Sequence, residues 1–242
     1  MRIGVIGTGT ISSAVVESIA QDGHQICVSE RSAANSARLA AQYDCISAAP
    51  NQAVLDQTDT IFIALMPEVA AKILGTLRFH SGHRVISFMA GVSMDVLSSI
   101  TAPAHVEAVM LPFPNIAQKG SPILVRGNTG TIKTLFGGTN SIVELANDTD
   151  LAAYLCAQAV LSPAVQMVSD AATWLSGRVE DAHQAQGFLR ALVGTNLLGA
   201  ECAPLLTALD TPGGYNQRLR EHMVKQGMRT DISDGLDALE NG

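Results

Sequence analysis

Charge and long apolar runs are both scarce in this sequence. Asp, Glu, Lys and Arg make up only 15% of the 242 residues, and the net charge is −7. No cluster of Lys and Arg interrupts this acidic balance, which argues against a nucleic-acid partner. No uncharged apolar stretch reaches the roughly 20 residues that span a bilayer, and no basic leader with a cleavage site stands at the N-terminus. We therefore expect neither a membrane partner nor a signal peptide.

Cysteine is also scarce, and its spacing does not suit metal binding. The four cysteines stand far apart without a CxxC pair, which is typical of small core residues in a reducing cytoplasm. In the segment HSGH, His80 and His83 lie near each other, but no Cys, Asp or Glu follows at ligand spacing. We expect a cytoplasmic protein without a metal site.

Apolar residues are abundant, at 47% of the chain, and their periodicity changes along it. Up to about residue 147, short apolar runs alternate with helix-like stretches. This alternation predicts βαβ units and an α/β domain with a doubly wound parallel sheet of the Rossmann type. The strand-like runs lie at 2–7, 25–30, 59–65, 84–90, 105–111, 122–125 and 141–146.

From residue 148 onward the apolar spacing is helical. We therefore expect a dinucleotide-binding domain at 1–147 and an all-helical domain at 148–242. In the helix predicted at 180–201, Gly187, Gly194 and Gly199 each cost about 1 kcal/mol relative to alanine. Such glycines indicate a second helix that packs very close. Together with the low charge, they predict a homodimer or a larger homo-oligomer built through the helical domain.

The segment GVIGTGTISSA (4–14) contains the first candidate binding motif. A strand ends at Gly7, a tight turn follows, and a helix begins at Thr10 or Ile11. This turn lets helix N–H groups approach a pyrophosphate, and Ser12 is small enough to replace the third glycine of the usual fingerprint. Glu30 follows about 20 residues later, at the end of the second strand. The pattern predicts a dinucleotide held by Gly7, Thr8, Gly9, Thr10 and Ile11.

Two cofactors fit the residues after the second strand. Glu30 could accept hydrogen bonds from a ribose 2′-hydroxyl, which would favour NAD. Arg31, with Ser29 and Ser32, could instead surround a 2′-phosphate, which would favour NADP. The sequence favours NADP slightly.

Five segments, together covering much of the chain, resemble the pyrroline-5-carboxylate reductase family: 3–20, 64–74, 84–97, 106–124 and 211–219. The first is shared by many Rossmann oxidoreductases, whereas ISFMAGVSMDVL and the late Pro-Gly-Gly are more specific to this family. The resemblance implies a helical dimerisation domain and NAD(P)H-dependent reduction of a cyclic imine. It also implies that the Pro-Gly-Gly turn of the partner subunit closes the substrate pocket.

The resemblance further implies roles for individual residues. Leu65, Met66 and Pro67 would contact the cofactor. Ala90 and Gly91 would form a backbone wall beside the nicotinamide, although an ordinary strand-end turn explains them equally simply. The candidate substrate contacts are Pro112, Phe113 and Pro114, which could also be a rigid loop, and Gly213 and Gly214, which could also merely separate two helices.

Several family motifs are altered in this chain. The family's Lys-Pro-Gln becomes Met-Pro-Glu at 66–68, and its Met-Pro-Asn-Thr-Pro-Ala becomes MLPFPN at 110–115. Its Pro-Gly-Gly-Thr-Thr becomes PGGYN at 212–216. The groups that recognise a pyrroline carboxylate are thus mostly changed, which favours a bulkier or less polar substrate.

Hydride transfer to C=N needs an acceptor carbon about 3–3.5 Å from the nicotinamide and a nearby proton donor. By motif position, Asn216 replaces the family's second threonine, and its amide could donate a hydrogen bond to the atom that gains the proton. The phenol of Tyr215 is a second candidate donor. Alternatively, Tyr215 packs against the next helix and Asn216 caps it.

Two other functions fit the sequence. A β-hydroxyacid dehydrogenase has a similar architecture, but its catalytic lysine would have to be Lys225, which lies close to the C-terminus. A non-catalytic NADP-binding sensor would account for the altered substrate motifs.

Overall fold

The computed structural model describes residues 1–240, which divide into two compact units. The first unit is Met1–Leu151, and the second begins at Ala152. This division falls within the helix that starts at Asp148, whereas the sequence places the domain boundary just before that helix.

In the first unit, all of whose residues are described, eight strands form one sheet. They are β1 (Arg2–Ile6), β2 (Gln25–Ser29), β3 (Ile46–Ala49), β4 (Thr60–Ile63), β5 (Arg84–Ser87), β6 (His105–Pro112), β7 (Pro122–Gly127) and β8 (Ser141–Leu145). Their order is β3-β2-β1-β4-β5-β6-β7-β8. Because the chain moves outward from β1 in both directions, the strand order reverses between β1 and β4, where α/β sheets bind their ligands.

Helices connect these strands and cover the sheet. They are α1 (Thr10–Ile19), α2 (Ala33–Gln42), α3 (Asn51–Gln57), α4 (Pro67–Leu74), α5 (Met94–Ile100) and α6 (Gly130–Phe136), with a 3₁₀ turn at Pro114–Gln118. The apolar stripe of α1 is buried in the same core as Ile3 and Val5 of β1. The predicted Rossmann architecture is confirmed.

The sheet differs from the sequence prediction in two places. The sequence patterns did not predict β3 and α3, because β3 is a short edge strand and α3 has only seven residues. In addition, β7 runs antiparallel to β6, although all other neighbours are parallel. The connection from β6 to β7 contains only the 3₁₀ turn, which is too short for the crossover that a parallel pair needs.

The second unit is helical and, as an isolated chain, has almost no core. Its described helices, the first of which begins in unit one, are α7 (Asp148–Ala157), α8 (Leu161–Ser176), α9 (Ala182–Gly199), α10 (Cys202–Ala208), α11 (Tyr215–Lys225) and α12 (Met228–Glu240). Between Ala152 and Glu240, only Ala172 and Ala185 are buried. By contrast, Trp174, Phe188 and Leu198 are exposed.

One helical stretch passes the length and composition test for a segment that could cross a bilayer. Asp148–Ser176 meets that criterion by length and composition, with a mean hydropathy of 1.5 over its most apolar window. Its residues are almost entirely unburied. An exposed apolar surface of this kind is also suited to burial against another protein chain, and the cytoplasmic location stays a prediction.

Candidate active site

The turn between β1 and α1 can form only because residue 7 is glycine. Gly7 has a φ of +99°, and a Cβ built on it would lie 2.2 Å from the carbonyl oxygen of Ala64. Gly9 has ordinary backbone angles, and apart from its own and the adjoining residues no described atom lies within 4 Å of the Cβ position built on it. Gly7 is therefore required by the packing of the turn, whereas the hydrogen at Gly9 leaves open space in front of the helix.

Hydrogen bonds hold this turn to β2 and α2. The Gly7 amide donates to Ser29 Oγ at 2.8 Å, and Thr8 Oγ1 donates to the Ser29 carbonyl oxygen at 2.7 Å. The Asn35 amide nitrogen donates to the Thr8 carbonyl oxygen at 2.8 Å. The turn is thus anchored before any ligand binds.

The N-terminus of α1 opens onto the space in front of Gly9. Within the described chain, no side chain caps this helix, and its first turn contains no acidic residue. Its first N–H groups are therefore available to an anion, and the helix dipole adds positive potential there. This is the arrangement that binds a pyrophosphate.

A cavity of about 650 Å³ lies at this point, at the carboxyl ends of β1, β2, β4, β5 and β6. Its size is in the range of small-molecule and cofactor sites. It is lined by Gly7, Thr8, Gly9, Thr10, Ile11, Ser12, Ser29, Arg31, Ser32, Asn51, Ala64, Leu65, Met66, Val69, Phe88, Leu111 and Pro112. Arg31 is the one charged residue among these described lining residues.

The structure brings most of the predicted cofactor residues together around this cavity. The five residues of the turn and helix start line it, as do Arg31, Ser32, Leu65 and Met66. Pro112 lines it as well, at the end of β6. Of the predicted site residues in the first unit, those that do not line it are Glu30, Pro67, Ala90, Gly91, Phe113 and Pro114.

Some lining residues had not been predicted from the sequence. Asn51 is the first residue of α3 and follows Pro50, with the buried Val54 and Leu55 one turn later. In the sequence, a proline and an asparagine followed one turn later by two apolar residues could have indicated the start of this helix. Phe88 and Ala64 directly follow β5 and β4, so the carboxyl ends of the predicted strands pointed to them.

In the second unit, the Pro-Gly-Gly turn precedes α11. Gly213 has a φ of +74°, and its amide donates to the side-chain oxygen of Gln217 at 2.7 Å. The Gly214 amide donates to the Thr211 carbonyl oxygen at 2.9 Å. Tyr215 and Asn216 then start the helix with exposed side chains, and Tyr215 is 90% exposed. Neither the packing of Tyr215 on a neighbouring helix nor a cap by Asn216 is present among the described residues.

The two histidines of HSGH form a structural cluster. Their ring centroids lie 3.5 Å apart. His83 is buried, and its Nε2 lies 3.1 Å from the Leu55 carbonyl oxygen while its Nδ1 accepts from the His80 amide at 3.2 Å. Both ring nitrogens of His83 are thus engaged by the backbone. Among residues 1–240, there is no group of three or more His, Cys, Asp or Glu side chains that could hold a metal ion.

The chain is similar to proteins of known structure over nearly its whole length. The pyrroline-5-carboxylate reductase of Streptococcus pyogenes has a TM-score of 0.83 and 18% identity, covering 99% of this chain and 96% of that one. The Plasmodium falciparum pyrroline carboxylate reductase, solved with NADP bound, has a TM-score of 0.83 and 13% identity, covering 100% and 96%. An imine reductase from Pseudomonas sp. has a TM-score of 0.64 and 17% identity, covering 99% and 89%.

At the sequence level, residues 2–91 match the model of the family described as NADP oxidoreductase, coenzyme F420-dependent. That segment contains the glycine turn, Arg31 and the strand ends of β4 and β5. No curated protein matches the chain in sequence. The chain therefore has the fold of the pyrroline-5-carboxylate reductases, a Rossmann-like sheet followed by C-terminal helices, and its first part resembles the NADP oxidoreductases.

Proposed function

We propose that this chain is an NADP-dependent oxidoreductase that transfers a hydride to the C=N bond of a cyclic imine or to a related small carbonyl compound. The observation that carries the proposal is the cavity in which the bare turn, the α1 N-terminus and Arg31 meet. The matched family model of NADP oxidoreductases and the similar imine-reducing enzymes support the same chemistry.

NADP rather than NAD is supported by the residues after β2. Arg31 and Ser32 line the cavity, whereas Glu30 does not. A guanidinium can bind a 2′-phosphate through two parallel hydrogen bonds, and the serine hydroxyl can add a third. A carboxylate that lies outside the cavity does not repel that phosphate strongly, because water screens the exposed charge.

The other end of the cavity supports an apolar substrate. With the 2′-phosphate near β2 and the pyrophosphate at α1, the nicotinamide would extend toward β4, β5 and β6. The lining residues there are Met66, Val69, Phe88, Leu111 and Pro112. Because none of them carries a charge, we propose an imine without a carboxylate as the preferred substrate.

Catalysis requires a donor for the nitrogen that gains a proton. We propose Asn216 and Tyr215 for this role, with Gly213 and Gly214 as the adjoining substrate contacts. Both side chains are exposed at the start of α11, next to a turn whose glycines leave the backbone bare. An amide N–H and a phenol O–H are both competent donors.

We also propose that the helical unit forms a homodimer. Large apolar side chains such as Trp174, Phe188, Leu192 and Leu198 are 46–91% exposed in the single chain, which is more apolar surface than a monomer normally leaves in water. In α9, apart from the adjoining residues and the helix's own backbone, no described atom lies within 4 Å of a Cβ built on Gly187, Gly194 or Gly199. The close helix that these glycines predict would then belong to a second copy.

The test is to follow NADPH oxidation with cyclic imines with and without a carboxylate group, and with 2-oxo acids. Turnover is expected to be fastest on an imine that lacks the carboxylate. A preference for pyrroline-5-carboxylate would overturn the proposed substrate class, and a preference for an oxo acid would overturn reduction of C=N. Tight NADPH binding without turnover on any compound would favour the non-catalytic sensor.

A further inference from the structure

Asn35 lies on α2 beside the phosphate-binding turn, and its side chain bonds to the turn. Its amide nitrogen donates to the Thr8 carbonyl oxygen at 2.8 Å. Thr8 itself is only 1% exposed, so this carbonyl has little access to water. An acceptor that loses its donor in such a place stays unsatisfied or has to move.

The bond joins two segments that line different parts of the cavity. Thr8 belongs to the turn at the α1 N-terminus, where a pyrophosphate would bind. Asn35 belongs to the first turn of α2, which directly follows Arg31 and Ser32. No side chain in the described chain caps α2, and the Asn35 bond ties its first turn to residue 8.

We infer that Asn35 is a positioning residue that fixes the spacing between the pyrophosphate-binding turn and the 2′-phosphate-binding segment. This inference rests on the proposed NADP site. Asn35 does not line the cavity, so it acts through Thr8 and not through contact with the cofactor. A ligand that spans both segments gains from the fixed spacing, whereas a ligand that occupies one segment does not.

The test compares two ligands on the full-length chain by calorimetry or fluorescence titration. NADP spans both segments, and adenosine 2′-monophosphate reaches only Arg31 and Ser32. For Asn35→Ala, the Kd of NADP is expected to rise about three- to tenfold, the effect of one lost hydrogen bond to a buried acceptor. The Kd of adenosine 2′-monophosphate should change by less than about twofold. With an active substrate, the KM for NADPH should rise while kcat is retained.

Two further variants separate positioning from general loosening. Asn35→Leu keeps the branched shape of the side chain, with somewhat larger terminal groups, but lacks the donor, and it should behave like Asn35→Ala. Arg38→Ala removes the ion pair, 2.6 Å long, between Arg38 of α2 and Glu17 of α1. This ion pair also ties α2 to α1, but it does not involve the turn. This control should leave the Kd of both ligands unchanged.

Four outcomes would contradict the inference or its basis. If Asn35→Ala weakens both ligands by the same factor, or weakens neither, Asn35 does not set the spacing. If Arg38→Ala reproduces the loss of NADP affinity alone, the effect comes from general packing of α2. If the unmodified chain binds neither ligand, the proposed NADP site is wrong and the inference falls with it.

Discussion

A Cβ atom on Gly7 would lie 2.2 Å from the carbonyl oxygen of Ala64, which follows β4. The partner of this contact is backbone and cannot swing aside as a side chain would. The Ala64 amide also donates to the Ile6 carbonyl oxygen at 2.8 Å, so the end of β4 is held against the end of β1. The turn therefore packs against the neighbouring strand with no room for a side chain.

Gly7→Ala is expected to impair stability, and Gly9→Ala is expected to impair NADPH binding. Gly7→Ala should lower the free energy of unfolding by about 2–4 kcal/mol, because it combines a positive φ with a backbone clash. Gly9→Ala should leave thermal stability nearly unchanged, since its Cβ meets no described atom. Its methyl group would instead occupy the approach to the α1 N-terminus and weaken NADPH binding about tenfold or more.

Thermal denaturation and NADPH titration of both variants check this prediction. If Gly9→Ala binds NADPH as tightly as the unmodified chain, the cofactor does not approach the backbone at Gly9. If Gly7→Ala is as stable as Gly9→Ala, the contact with Ala64 does not restrict residue 7.

Arg31 is expected to decide the cofactor preference. Arg31→Ala should raise the Kd of NADPH about ten- to a hundredfold, because a charge-assisted bidentate contact is lost, and should change that of NADH little. Glu30→Gln is the matched control, since Glu30 does not line the cavity, and its ratio of NADPH to NADH affinity should stay close to that of the unmodified chain. An equal loss for both cofactors in Arg31→Ala would contradict the 2′-phosphate role.

His83 is expected to make the fold less stable in weak acid. Burial lowers the pKa of His83 below its usual value of 6.5, and the nearby His80 lowers it further, against the Leu55 carbonyl, Asp56 and Asp59, which raise it. Between the lowered pKa and 6.5, the unfolded chain binds a proton at this site that the folded chain does not. Stability should therefore fall as the pH drops through about 6.5 and level off below the folded-state pKa.

Chemical denaturation between neutral pH and about pH 5 measures this slope. His83→Gln should flatten it, and the exposed His105→Gln should keep it. Some slope of the same sign should remain, because burial and the N-terminal ammonium lower the pKa of His24, against a smaller opposing effect of Asp22. An unchanged slope in His83→Gln would show that His83 is not the responsible group.

The helical unit is expected to hold two chains together. Phe188→Glu and Leu192→Glu place a charge on the exposed apolar surface of α9 and should convert a dimer into a monomer in light-scattering measurements. Lys225→Ala, on α11, is a control that should leave the mass unchanged. A monomeric unmodified chain at micromolar concentration would contradict the proposed homodimer.

Asn216 is expected to act on the chemical step. Asn216→Ala should lower kcat about a hundredfold with little change in NADPH affinity, as expected for loss of a group that supports proton transfer. Tyr215→Phe removes the hydroxyl group and keeps the aromatic ring, and it should lower kcat only if the hydroxyl group donates. If Asn216→Ala leaves kcat unchanged, the assignment is wrong.

Much of the site could be predicted from residues that are near one another in sequence. Gly7 to Ile11 form one local strand–turn–helix motif, and Arg31 and Ser32 follow a strand whose end was predicted. Ala64, Phe88 and Asn51 join them only because β4 lies beside β1, β5 lies beside β4, and α3 follows the edge strand β3. Single-sequence periodicity carries no information on which strands become neighbours.

The sequence by itself determined the alternation of strands and helices, the glycine turn before α1 and the change to a helical second half, because each depends on interactions within a few residues. The tertiary structure decided which groups hold the turn and which line the cavity. Ser29 and Asn35 meet the turn across 22 and 27 residues of sequence, through strand pairing and a helix crossover. Such contacts depend on the packing of the complete sheet, and no local pattern encodes them.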